Sequence, residues 1–359
     1  MSTTTPRLIA AAAALGASAL VLSGCAGSSA AGNDSDDTFS ATLVGGVAGD
    51  LSYTDTALAG LAQAKDELDV TTKHIETPDA AQGETLLRSA IPTSPDLLLS
   101  ITLPLDTVVS IAEQYPDQLI ALPDQADEGT ELPDNVAAYT INVHEGSFLA
   151  GVVAGAMTES HVVGAIIGGQ APGLDQFALA YKQGVLAACP DCEVKLSYLN
   201  FQFADPALGK STALDLHSDG ADVIFQVAGG TGTGVIEAAK EGGFYAIGVD
   251  SDQDSVAPGT VITSMLKRVD ANVLALITAA EEGDFASGFT QVGLADGATG
   301  LSWDTGSTVF EENAPTEAAA KIPAVKDLVE DFRAQILDGS LEVCDALNAP
   351  DSEACAALG

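Results

Sequence analysis

The sequence predicts an α/β protein of two similar lobes, each a parallel sheet with helices on both faces. Three observations carry that reading. From Ala41 onward, short apolar runs of strand length alternate with segments of helical spacing. A second series of the same kind begins after the amphipathic segment 145–157. Finally, 359 residues with 47% hydrophobic and 18% charged side chains supply core for two domains of ordinary size.

At the N-terminus, residues 1–24 read as a signal peptide, with Arg7 ahead of the apolar run 8–22 and the small residues Ser23 and Gly24 before Cys25. That run of 15 residues falls short of the about 20 needed to span a bilayer. Leu22-Ser23-Gly24-Cys25 resembles the bacterial lipobox, which implies cleavage before Cys25, diacylglycerol on its thiol and an extracytoplasmic protein anchored to the cell membrane. Residues 25–40 then form a polar tether reaching roughly 20 Å.

In the first lobe, strands are expected at 41–47, 70–75, 96–101, 119–122 and 136–140, with helices at 56–67, 80–89 and 106–114. In the second, strands are expected at 162–167, 193–199, 222–227, 244–249 and 261–265, with helices at 176–188, 206–218 and 233–240. The segment 316–337 reads as one C-terminal packing helix, and Trp303 as a surface or core residue outside any pocket. The expected division is 41–143 for the N-terminal lobe, 144–265 for the C-terminal lobe, 266–298 for a return to the first, and 299–359 for the C-terminal lobe and tail. A cleft between two such lobes is where a small-molecule site forms.

Charge excludes some partners. With 51 acidic and 13 basic residues, the net charge of −38 repels phosphate backbones and anionic headgroups, which argues against nucleic-acid binding. Cys25 aside, an oxidising location allows bridges Cys189–Cys192 and Cys344–Cys355; a redox motif at Cys189 and Cys192 would need a thioredoxin-like context.

The chemical motifs give no support for catalysis. Ala228-Gly229-Gly230-Thr231-Gly232-Thr233-Gly234 lacks the Gly-Lys-Ser/Thr end of a P-loop and falls one residue short of a dinucleotide fingerprint, so it reads as a strand-to-helix turn of small residues. Counting from Asp250, Ser255 and Val261 stand where a calcium loop needs Gly and Glu. His74, His144, His161 and His217 show no metal spacing and read as surface residues. There is no G-x-S-x-G nucleophile elbow. Asp250, just beyond a strand end, is suited to accept hydrogen bonds from vicinal hydroxyls.

An ordered set of motifs goes further: Glu145-Gly146-Ser147-Phe148-Leu149-Ala150-Gly151, Asp205-Pro206-Ala207-Leu208-Gly209-Lys210, Gly220-Ala221-Asp222-Val223-Ile224-Phe225, the glycine run above, Gly248-Val249-Asp250-Ser251-Asp252-Gln253 and Thr263-Ser264-Met265-Leu266-Lys267. With them, from about Ala41 to Leu301, the chain resembles the basic membrane protein family, the substrate-binding lipoproteins of ABC importers for nucleosides. The resemblance implies a type I periplasmic-binding-protein fold, with two Rossmann-like lobes, three crossover strands and hinge closure on a ligand. It also implies partners: ABC permease and ATPase subunits, and a monomeric receptor that needs no cofactor or metal.

The same resemblance implies site residues. In that family the first strand ends in a motif whose Asp bonds the base and whose Phe stacks on it, matched here by Asp50, Ser52 and Tyr53, with Thr54 in place of the usual Asn. The second stacking aromatic precedes the Asp-Pro-Ala motif, pointing to Phe203. Gly229, Gly230, Asp250 and Lys267 match positions on the ribose side, and Asp124 an acidic pocket position. In this reading Asp250 accepts ribose hydroxyls and Lys267 holds its carboxylate. Rival readings are a receptor for a sugar or modified base and a secreted nucleoside hydrolase.

Overall fold

Residues 38–126 and 129–358 are described by the computed structural model. The signal peptide, the lipidation at Cys25 and the tether up to residue 37 lie outside the described residues. The first lobe runs β1 (Ser40–Val44), α1 (Tyr53–Leu68), β2 (Thr71–Ile75), α2 (Gly83–Ala90), β3 (Leu97–Ser100), α3 (Leu105–Gln114), β4 (Leu119–Leu122) and β5 (Val136–Ile141). The second runs α4 (Val143–Met157), β6 (Val162–Ile167), α5 (Pro172–Ala188), β7 (Glu193–Tyr198), α6 (Pro206–Ser218), β8 (Val223–Val227), α7 (Thr231–Gly242), β9 (Tyr245–Asp250) and β10 (Val261–Lys267). There follow α8 (Val269–Glu281), β11 (Gly288–Val292), β12 (Thr299–Leu301), α9 (Val309–Asn313), α10 (Thr316–Ala319), α11 (Ile322–Leu337) and α12 (Glu353–Ala356).

Two six-stranded sheets result, in the orders β11-β5-β4-β3-β1-β2 and β12-β10-β9-β8-β6-β7. All pairings are parallel except β10 with β12. Central strands are largely apolar because helices cover both faces: β3 and β8 are buried at every residue, Ser100 and Gln226 being their polar members. Edge strands β2 and β7 carry Lys73, His74, Glu193 and Lys195 instead, since one side of each meets water. The predicted two-lobed α/β architecture is thus the observed one.

The sheets share one strand order and differ in the direction of the last strand, and the chain crosses between them at β5 to α4, β10 to α8 and β11 to β12. Strand order reverses between β1 and β3 in one sheet and between β6 and β8 in the other. At such a reversal the connecting loops leave in opposite directions and open a crevice at the carboxyl ends of the strands.

Helix α4 is buried almost all round and crosses α5 at close range. A Cβ on Gly151 would lie 2.1 Å from the Tyr181 carbonyl oxygen, and one on Gly184 would lie 2.0 Å from that of Phe148. The glycines at this crossing therefore let two backbones touch. Ser40, expected in the tether, already belongs to β1, where its hydroxyl donates to Asp96 at 2.7 Å.

The C-terminal helix expected at 316–337 is broken in two. Pro323 has no N–H to donate and its ring would strike the carbonyl of Ala319, so the turn at Ala320 and Lys321 separates α10 from α11. Beyond α11 the tail docks on α5: Gln183 donates to the Glu342 carbonyl at 2.9 Å and accepts from the Cys344 amide at 2.8 Å. The tail carries one bonded cysteine pair, Cys344 with Cys355, and α5 ends at the other, Cys189 with Cys192. Trp303 packs beside Lys326, with the ammonium 5.0 Å from the ring centre. Among the described residues, no helix is long and apolar enough to cross a membrane.

The Asp205 carboxylate caps α6, accepting from the Leu208 amide at 3.0 Å. Asp205→Ala leaves that amide without its partner, so urea unfolding should show a stability loss of about 1 kcal/mol; an unchanged midpoint would refute the capping role.

Candidate functional site

A cavity of about 400 Å³ opens where the two crevices face each other. Its wall comes from strand ends: Gly46 and Val47 after β1, Thr102 after β3, Val227 at the end of β8 with Gly229 after it, and Asp250 at the end of β9. Eight of the ten predicted ligand-binding residues line it, namely Asp50, Tyr53, Thr54, Asp124, Phe203, Gly229, Asp250 and Lys267. Ser52 stands behind the wall on Asp250, and Gly230 lies outside the lining. Phe177 and Leu174, from α5, line the cavity without having been predicted.

The loop into α1 is held by two carboxylates. Asp50 accepts from the amides of Ser52, Thr54 and Asp55 at 2.9, 2.9 and 3.1 Å, and Asp55 accepts from those of Gly49 and Leu51 at 2.7 and 2.8 Å. Negative charge at a helix N-terminus is favourable, and these amides have no intrahelical partner. A carboxylate offers about four acceptor positions, so Asp50 commits most of its capacity to backbone.

Asp250 is 8% exposed, has left-handed φ of +67°, and accepts a hydrogen bond from the Ser52 hydroxyl of the other lobe. Burial pushes its carboxyl up to about 6, against the opposing pull of Lys267 and the Ser52 hydroxyl, with Asp50 and Asp124 adding to the rise. Leu51 and Thr102, also at the cleft, share the positive φ at +53° and +72°. Three non-glycine residues in this sparsely populated region mark backbone strain held at one place.

Lys267 does not hydrogen-bond Asp250 as the sequence suggested. Its ammonium donates to Asp124 at 2.5 Å and lies 5.0 Å from the Tyr53 ring centre and 5.7 Å from that of Phe177. The Asp124 turn is itself pinned, since Asn272 donates to the Pro123 carbonyl at 2.9 Å. Burial raises the Tyr53 pKa well above the ordinary phenol, and the negative charge of Asp124 adds to the rise. Tyr53 is therefore a neutral donor with its ring face fixed by a cation.

Phe203 approaches from the second lobe on the loop between β7 and α6. Its carbonyl accepts from the Thr231 amide at 3.1 Å, and the Gln202 amide donates to the Gly168 carbonyl at 3.0 Å. The ring sits against Gly168, where a Cβ would come within 2.1 Å of it. It remains 41% exposed.

In the glycine run, Gly229 has φ of +53° and lines the cavity. Gly232 would clash with Gln226 at 1.7 Å and Gly234 with the Pro206 carbonyl at 1.8 Å if either carried a Cβ. The run thus serves a turn and a close helix approach.

The histidines depart in part from the surface reading. His144 is buried at 8%, while His74 and His217 are half-buried and bonded to backbone carbonyls at 2.8 Å. His161 lies with Cys189 and Cys192, their ligand atoms within 4.8 Å of one another, but the two sulfurs are bonded together and offer no thiolate to a metal.

The architecture recurs in known proteins. A solute-binding protein of an ABC transporter system from Aeropyrum pernix K1 superposes with a TM-score of 0.75 at 28% identity, covering 88% of this chain and 94% of that one. An arabinose-binding protein from Geobacillus stearothermophilus shares the fold at a TM-score of 0.57 and 16% identity, covering 74% and 96% of the two chains. In sequence, the CD4+ T-cell-stimulating antigen of Listeria innocua is 31% identical, with 91% of this chain and 95% of the antigen aligned. Basic membrane protein A of Borreliella burgdorferi is 30% identical over 70% and 74% of the respective chains. The profile of the Bmp family, described as PnrA-like ABC transporter substrate-binding proteins, matches residues 39–325. That match takes in both lobes and every strand end that lines the cavity, and the chain belongs to this family of PnrA-like ABC transporter substrate-binding proteins.

Proposed function

We propose that this substrate-binding protein captures a nucleoside, with a purine as the best fit, and delivers it to a permease. The observation that carries this reading is the pairing, in one cavity of about 400 Å³, of aromatic faces on Tyr53 and Phe203 with the buried carboxylate of Asp250. Aromatic faces suit a flat base, and an ionised carboxylate accepts from vicinal hydroxyls. The cavity's charge narrows the class further: three carboxylates, Asp50, Asp124 and Asp250, stand against the one ammonium of Lys267. A phosphorylated ligand would bring more negative charge to that wall, so an unphosphorylated nucleoside fits better than a nucleotide.

ABC-transporter substrate-binding proteins work outside the cytoplasm with permease and ATPase subunits, and the transport energy comes from the latter. The anchor is part of the same proposal: lipidated Cys25 would keep the receptor near its permease. Cys25→Ser should move the protein out of the membrane fraction or block its processing, and a substituted protein that still fractionates wholly with membrane would rule the anchor out.

The function is tested by mass spectrometry of small molecules released when freshly purified protein is denatured, followed by calorimetry with inosine, guanosine, adenosine and uridine. A nucleoside mass, and heats with the purines, are expected. A released sugar with no heat from any nucleoside would replace the reading by a sugar receptor. Chromatography of recovered inosine decides the enzyme alternative, since free base and ribose would identify a hydrolase.

A further inference from the structure

The two lobes are joined across the cleft by direct hydrogen bonds between their own groups. The Leu51 carbonyl, from the first lobe, accepts from the Ser251 hydroxyl at 2.8 Å and from Gln253 Nε2 at 2.7 Å, both on the loop after β9 of the second lobe. Neither Leu51, Ser251 nor Gln253 lines the cavity. The Leu51 side chain is 45% exposed, so apolar packing does not account for the contact.

Both sides of the contact are built rigidly. On the first lobe, the left-handed φ of Leu51 and the Asp55 carboxylate on its amide set the direction in which its carbonyl points. On the second, Gln253 is 1% exposed and its amide orientation is determined by its neighbours. Gln253 Oε1 accepts from Gln226 Nε2 at 2.6 Å and from the Val249 amide at 3.1 Å, which leaves Nε2 to donate across the cleft. The next residue, Asp254, is fully buried and takes the hydroxyls of Ser264, Ser302 and Ser307 at 2.7, 2.7 and 2.6 Å. The Gln253 amide also donates to Ser264 at 3.0 Å. Donors held this way lose little freedom when the lobes meet, which favours closure.

We propose that the Leu51 carbonyl, Ser251 and Gln253 form a latch that closes the lobes without ligand, so that Ser251 and Gln253 set affinity through the open–closed balance. A receptor whose closed form is populated in advance binds more tightly than its contacts alone would give, because less of the closure free energy must come from the ligand. Gln253 is thus a positioning residue. Its identity matters because it must accept from two groups of its own lobe and donate to the other, which an amide can do and a carboxylate cannot.

The latch is tested on the full-length, ligand-free protein, so the result does not depend on which ligand is bound. Dyes on unnatural residues at the exposed positions Glu67, in α1, and Lys240, in α7, report the lobe separation by single-molecule energy transfer. The unsubstituted protein should show a populated closed state. Ser251→Ala removes one neutral hydrogen bond and should lower the closed-to-open ratio about fivefold. Gln253→Glu keeps acceptors for Gln226 and Val249 but sets a carboxylate oxygen against the Leu51 carbonyl, so the ratio should fall about tenfold or more. Circular dichroism checks that each variant is folded, and Ser251→Ala, at a half-buried loop position, keeps the test decisive should Gln253→Glu fail to fold. A ligand-free protein that is wholly open, or a folded Ser251→Ala protein with the parent's distribution, would overturn the latch.

Discussion

Asp250→Ala is expected to cost about 2–4 kcal/mol of nucleoside affinity, and a 2′,3′-dideoxy nucleoside should lose a similar amount on the unsubstituted protein. The two losses share one contact, so combining them should cost little more than either alone. Additive losses in calorimetry would sink the ribose contact. The same carboxyl gives the site a pH dependence whose sign follows from its environment. Burial lifts Asp250 from the ordinary 3.8 to about 6, so the folded protein pays for ionisation as pH rises between those values, and this group's contribution is most favourable to stability in acid. Ligand hydroxyls need the ionised form, and their donation lowers the pKa in the complex. Affinity should therefore be flat above about 6 and fall toward tenfold per pH unit below it, until the bound carboxyl itself protonates. Asp250→Asn, which cannot titrate, should bind more weakly at neutral pH and lose this slope. A slope that persists in the asparagine variant would assign the titration to another group.

Much of the scaffold was legible because parallel sheets demand uninterrupted apolar strands. Leu97–Ser100 and Val223–Val227 could be read from their mostly apolar runs, and both are wholly buried. Strand β11 was not, because Gly288–Val292 is an edge strand with Thr290 and Gln291 exposed, and its pairing with β5 joins segments about 150 residues apart. The two-part C-terminal helix shows a local signal outweighed by periodicity: Pro323 marked the boundary, yet the apolar spacing runs through it.

At the site, residue types and order led to the cavity lining, largely through the family motifs, but not to the pairings. Lys267 and Asp250 stand close enough to influence each other, whereas the hydrogen bond goes to Asp124, brought in by the turn after β4. Phe177 carried no motif, and an aromatic residue near the start of an amphipathic helix reads as core, which at 4% exposure it also is. The several tasks of Gln253 depend on groups far apart in sequence, Leu51 and Gln226 among them, and only the folded chain brings these together.

Phe203→Ala should weaken inosine, guanosine, adenosine and uridine alike by about 1–3 kcal/mol, with little change in their order, because stacking on a π-face tolerates base identity. The exposed ring makes this a clean probe: at 41% exposure, Phe203 contributes less to the core than the buried Phe177, whose removal would open a cavity in the second lobe. Gly168→Val separates stacking from general loss of apolar surface. A Cβ there would meet the Phe203 ring at 2.1 Å, so the substitution keeps the aromatic residue but moves its face off the cavity. If Phe203 works by stacking, Gly168→Val should reproduce most of the loss seen in Phe203→Ala, and the double variant should add little to either. If the ring serves only as apolar cover, it can shift and still exclude water, and Gly168→Val should bind all four nucleosides almost as well as the unsubstituted protein. Calorimetry on the two single variants and the double variant, with circular dichroism to check folding, distinguishes these outcomes, and near-parent affinity in Gly168→Val would remove Phe203 from the stacking role.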